Sequence, residues 1–94
     1  MDNQPRTLEQ IQATIRAARD SVWVVTSEIE KLTAGQTASK EIKGNIERNV
    51  AHLKIIVANQ EIIDSGENIA DLVAAIAAGE AKLAEQIWPT EAST

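Results

Sequence analysis

His52 is the only side chain here whose ordinary titration falls near neutral pH, so it is where proton-transfer chemistry would start. Arg48 lies four residues before it, and Asn45, Asn49 and Asn59 recur at helical spacing around it. An imidazole set among amides could anchor a polar ligand. General acid–base work, however, needs a carboxylate to orient or perturb the ring. No Asp or Glu stands three or four residues away on either side, and the one charged neighbour at that spacing, Arg48, is a base. The pattern reads as a polar flank beside a helical seam.

Other chemistries fare no better. The chain has no cysteine, hence no thiolate nucleophile, thiolate metal ligand or disulfide framework. His, Asp and Glu do not cluster at metal-ligand spacing. The segment Asp64-Ser65-Gly66-Glu67-Asn68 offers one glycine among acids, which would repel phosphate. A ligand pocket between helices could be assembled from Arg16, Arg19, Arg48 and His52. The small all-helical chorismate mutases are similar in size and surround a dicarboxylate with basic side chains, a role for Arg16, Arg19, Lys43 and Arg48. Their spacing of basic residues is not reproduced, and the last third of the chain adds only Lys82 and Gln86.

Charge narrows the partners. Fourteen acids against nine bases give a net charge of −5, which disfavours a phosphate-binding surface. Residues 1–54 hold eight bases and seven acids, whereas residues 55–94 hold one base, Lys82, and seven acids. Glu67, Asp71, Glu80 and Glu85 could therefore form an acidic face, a decoy for a basic nucleic-acid-binding protein. Acids near a helix start also simply complement its dipole. Reading residues 64–76 as a helix-turn-helix puts Glu67 and Asp71 where DNA phosphates would lie, so no nucleic acid is expected. No apolar stretch reaches the roughly 18 residues that cross a bilayer, and the first residues lack a signal-peptide pattern. The expected setting is cytoplasmic, with no membrane contact and no cofactor.

The elements that would position any site are long helices. Leu8, Ile11, Ile15, Ala18, Val22, Val25, Ile29 and Leu32 are spaced 3, 4, 3, 4, 3, 4 and 3 residues apart. That 3.5-residue period is the seam of a helix packed along another. Thr7 and Gln10 form a capping-box pattern before it, and Gly35 offers a left-handed stop. The expected fold is all-α: a three-helix up-down bundle on a long antiparallel hairpin, with helices at about 7–34, 39–64 and 67–88. Residues 1–6 and 89–94 are expected to be disordered. Folding at residues 36–37 pairs positions whose numbers sum to about 72, setting Val25 against Ile46 and Ala18 against Leu53. A strict seam would bury Asn49 and Gln60, so the second helix is expected to rotate and turn Val50 and Val57 inward.

Small residues mark a second face. Gly44, Ala51, Ala58 and Ser65 recur every seven residues in the second helix, and Ala70, Ala77 and Ala84 in the third. Such columns let another backbone approach closely, so the third helix or a second subunit is expected against Ala51 and Ala58. A third helix of about 21 residues spans near 31 Å, against near 40 Å for the first two. Starting level with Leu8, it leaves the hairpin tip bare. The candidate interface is therefore Trp23, Val24, Ile29, Leu32, Ile42, Ile46, Ala51, Ile55, Ala58 and Ile62. The expected function is a non-enzymatic protein–protein interaction module, self-associating with a dimer favoured and able to take another protein. The alternatives are the small helical enzyme or ligand-binding protein and the acidic decoy described above.

Overall fold

The structure, a computed structural model, describes residues 7–89; the two segments expected to be disordered lie outside them, apart from Pro89. It is all-helical, with no strand among the described residues. Four helices pack together: α1 (Leu8–Glu30), α2 (Lys40–Val57), α3 (Gln60–Ser65) and α4 (Ala70–Glu85).

The helix starts follow local chemistry. Thr7 Oγ1 accepts from the Gln10 amide while the Gln10 side chain accepts from the Thr7 amide, a complete capping box. Ser39 caps α2 by accepting from the Ile42 amide at 3.1 Å. Gly66, at φ 74°, ends α3 in the left-handed conformation that glycine adopts without penalty.

Boundaries elsewhere differ from expectation. The first helix stops at Glu30 instead of 34, and Gly35, at φ 83°, serves the loop that follows. The second is two helices. Asn59 takes an extended conformation and its side chain accepts from the amides of Glu61 and Ile62, starting α3 afresh. A short amide side chain competes with the helical ladder in this way, and here it wins. The break redirects Ile62. In an unbroken helix it would share the outward side of Ile55; instead it is 1% exposed, while Ile63 turns half outward. The last helix begins at Ala70, not 67, with Asn68 Oδ1 accepting from the Ala70 amide. It ends at Glu85, short of 87–88, because Gln86 and Ile87 bind the interhelical loop.

Residues α3 through Ile69 occupy the length beside the start of α1, so α4 is displaced toward the hairpin tip. Gln12 bonds Glu67, Arg19 bonds Asp71 and Gln86 bonds the Thr33 carbonyl, offsets of 55, 52 and 53 residues. A near-constant offset means that α4 runs alongside α1 in the same direction. Gln86 Nε2 also donates to the Gln36 carbonyl at 2.6 Å, and the Ala38 amide to the Ile87 carbonyl at 2.9 Å. The tip is therefore not bare: Ile29, Leu32, Ile42, Leu83 and Trp88 pack on the core there. The core itself centres on Ala18, Val25, Ile46, Leu53, Ile62 and Leu72.

The inward rotation of α2 holds for Val50, at 4% exposure, with Val57 packed against the core. The last helix does not lie against the small column of the second. Ala51 and Ala58 are exposed, as are Ala70, Ala77 and Ala84. Close approach of α4 instead uses Gly79: a Cβ built there would stand 2.5 Å from Val50 Cγ2 and 3.3 Å from Val25 Cγ1. Val50, Ile46 and Val25 thus form the bed on which α4 lies, and only a residue without a side chain fits at its centre.

Candidate functional site

Several of the polar residues considered for chemistry are held in bonds within the fold. Glu28 is buried at 5% exposure on the α1–α2 seam. Lys31 Nζ donates to its Oε1 at 2.6 Å and Asn45 Nδ2 to its Oε2 at 2.8 Å. The Lys31 bond, then the Asn45 bond, hold the Glu28 carboxyl below its usual range despite the opposing effect of burial. Arg48 in turn donates to Asn45 Oδ1, and Asn49 Nδ2 to the Asn45 carbonyl at 2.7 Å. Asn45 therefore stitches the hairpin, Asn49 bonds within α2 and Asn59 caps α3. His52 is exposed beside them and takes no part in these bonds.

The imagined basic pocket is dispersed. Arg19 Nε bonds Asp71 Oδ2 at 2.8 Å and its Nη2 bonds the Asn68 carbonyl, while Arg48 is turned to Asn45. Arg16 and His52 are exposed on different helices. Among the described residues no group of His, Asp and Glu could hold a metal ion.

The acidic candidates are likewise engaged within the chain. Glu67 accepts from Gln12, Asp71 pairs with Arg19, Glu80 with Lys54, and Glu85 with Lys82 at 2.8 Å. The bond from Arg19 is the main cause holding the Asp71 carboxyl below its usual range. Exposed pairs of this kind add little stability, but those of Asp71, Glu80 and Glu85 each offset a negative charge that a basic partner would have sought, whereas the amide of Gln12 leaves the charge of Glu67 in place.

What remains is apolar surface. The ten interface candidates divide sharply. Ile46 and Ile62 are core residues of the single chain, fully or almost fully buried, and cannot meet a partner without unfolding. Ile29, Leu32 and Ile42 are partly buried under the displaced α4, and Val24 is partly buried. Trp23 stays 70% exposed and Ile55 69%; Ala51 and Ala58 are exposed with Ile55 on the outward side of α2.

Sequence reasoning missed how far α4 shares this character. Ala70, Val73, Ala74, Ala77, Ala78, Ala81 and Ala84 are all exposed. No charged residue interrupts α4 between Asp71 and Glu80. That uncharged run was readable; what hid its meaning was the assumption that the alanine column faced α2. Gln12, Arg16, Arg19 and Trp23 share one side of α1 at spacings of four, three and four. Since Gln12 and Arg19 bond the residues leading into α4, Trp23 stands on the α4 side of α1. A large aromatic thus borders a helix face of small apolar side chains. No family model, curated protein or solved structure matches this chain.

Proposed function

We propose that this chain is a non-enzymatic protein–protein interaction module, an up-down helical bundle that works through an exposed apolar surface and self-associates. The observation carrying this reading is Trp23, 70% exposed beside the uncharged outward side of α4. Tryptophan is the residue most enriched among the anchors of protein interfaces, because it buries a large rigid area at small entropic cost. The candidates for catalysis give the enzyme reading no comparable support: Arg19, Arg48, Asn45 and Asn49 are held in structural bonds. The partnered carboxylates of α4 weigh against the acidic decoy in the same way.

Light scattering on the purified chain tests the reading. At about 100 μM, association with a micromolar Kd leaves most chains bound. The expected mass is at least twice the 10.2 kDa of one chain. A mass of one chain at that concentration contradicts self-association.

A further inference from the structure

We infer that residues 33–38 and 86–88 form a latch over the hairpin tip, one that opens on its own while the four helices stay packed. This stands apart from the proposed interaction role, since it concerns how the tip of a single chain is closed.

The first argument is what joins the two halves. Among the described residues, three hydrogen bonds tie the loop to the segment that follows α4. Gln86 Nε2 donates to the Thr33 carbonyl at 3.1 Å and to the Gln36 carbonyl at 2.6 Å, and the Ala38 amide donates to the Ile87 carbonyl at 2.9 Å. Thr37 and Ile87 lie side by side as one parallel bridge pair. Two of the three bonds come from one side-chain amide, so Gln86 is the bolt.

Burial is the second argument. Thr33, Ala34, Gly35, Gln36 and Thr37 are exposed, and no side chain of the core comes from this loop. Ile87 across from it is 48% exposed. Exposed hydrogen bonds with little apolar burial behind them belong to the low-stability end of a fold. Each half is better secured on its own side. Trp88 packs on the core and its Nε1 donates to the Leu83 carbonyl at 3.0 Å, which holds the segment to the end of α4. Buried Leu72, Ala75 and Gly79 seat α4 without help from the latch. At the feet of the loop, the Lys31 amide bonds the Glu28 and Ile29 carbonyls and Ser39 caps α2. The joint between the halves is therefore the weakest link.

The third argument concerns what opening does. Leu32 and Ile42 stand at the two feet of the loop, both partly buried against the core. Lifting the loop bares them, so the latch sets how much apolar surface the tip presents.

Hydrogen exchange followed by NMR reads the latch through one amide, because the Ala38 N–H is bonded across it. Corrected for intrinsic rates, the Ala38 amide is expected to exchange at least about a hundredfold faster than the Leu53 amide in the core. It should also respond far less to low urea, since a local opening exposes little surface. Thr37→Cys with Ile87→Cys closes the latch covalently: the chain has no other cysteine, and paired residues on neighbouring strands stand about 4.7–4.9 Å apart, within disulfide reach. Oxidation of this double variant is expected to slow Ala38 exchange at least about tenfold against its own reduced form. Gln86→Glu, whose carboxylate cannot donate to the two carbonyls, is expected to speed it about tenfold. Equal rates and urea slopes for Ala38 and Leu53 would mean that the tip opens only when the whole chain unfolds, and would overturn the inference. So would thiols that never join, or an Ala38 rate that neither change moves.

Discussion

Gly79→Leu is expected to be strongly destabilising, and it should do so by forcing α4 off its bed rather than by changing helix propensity. Even a single added carbon at Gly79 would sit 2.5 Å from Val50 Cγ2, a distance that requires movement. Val50 cannot easily yield, being 4% exposed and stiff at its branched Cβ. Overpacking of this kind typically costs about 1–3 kcal/mol, and leucine adds far more than one carbon. In a domain of this size each kcal/mol lowers Tm by roughly 4–8 °C. Gly79→Ala separates the two effects, since alanine gains about 1 kcal/mol over glycine in a helix. In the Val50→Ala background, where the obstructing methyl groups are gone, Gly79→Ala should become stabilising. Ala58→Leu, at an exposed site, should stay within about 0.5 kcal/mol of wild type. Thermal melts that leave Gly79→Leu unchanged while Ala58→Leu falls would restore the opposite facing of the small residues.

Glu28→Ala is the second large effect. The carboxylate fills a buried position on the seam and accepts from both Lys31 and Asn45. Its removal leaves the Asn45 amide without its acceptor in a half-buried site, at a cost of about 1–3 kcal/mol. The neighbouring bond from Arg48 to Asn45 loses its anchor as well. A pH dependence follows from the same contacts. The folded-state pKa of Glu28 lies below its unfolded value, so the stability it contributes is complete above the ordinary carboxylate range. That contribution is lost as pH falls through the depressed folded pKa. Asp71, depressed by Arg19, acts in the same direction but is more exposed. Urea midpoints measured from pH 7 to pH 3 should therefore fall for wild type and fall less steeply for Glu28→Gln. Parallel curves for the two would show that Glu28 is not charged on the seam.

The legibility of this fold in its sequence was uneven for identifiable reasons. Caps built from adjacent residues were readable: Thr7 with Gln10, Ser39, and Gly66 after Ser65 each do locally what their types suggest. The heptad ladder gave the α1–α2 seam, and Val25 and Ile46 do converge, both lying against Gly79. Asn59 was harder. Its flanks are helix-forming, and only the burial of Ile62 reveals why breaking the helix there is favourable. That one break consumed the length beside the start of α1 and moved α4 toward the tip, which is why the bare-tip argument for association failed. Trp23 lies outside the seam of α1 and stays exposed in the folded chain. Glu28 offered little signal, since it flanks the seam three residues from Val25, where a long charged side chain ordinarily reaches water, until Asn45 is brought across from α2. The alanine column of α4 was visible but does not pack on α2, because spacing shows that a face is smooth and not what lies on it.

Trp23→Glu is the most direct test of the central claim. The side chain is mostly in solvent within one chain, so the substitution should leave helicity by circular dichroism close to wild type. At an interface, it removes the anchor and puts a carboxylate where water is excluded. Light scattering at about 100 μM should then report twice the chain mass or more for wild type and the 10.2 kDa of a single chain for the variant. Equal masses for the two proteins, with both folded, would contradict the assignment of Trp23 and its alanine border as the interaction surface.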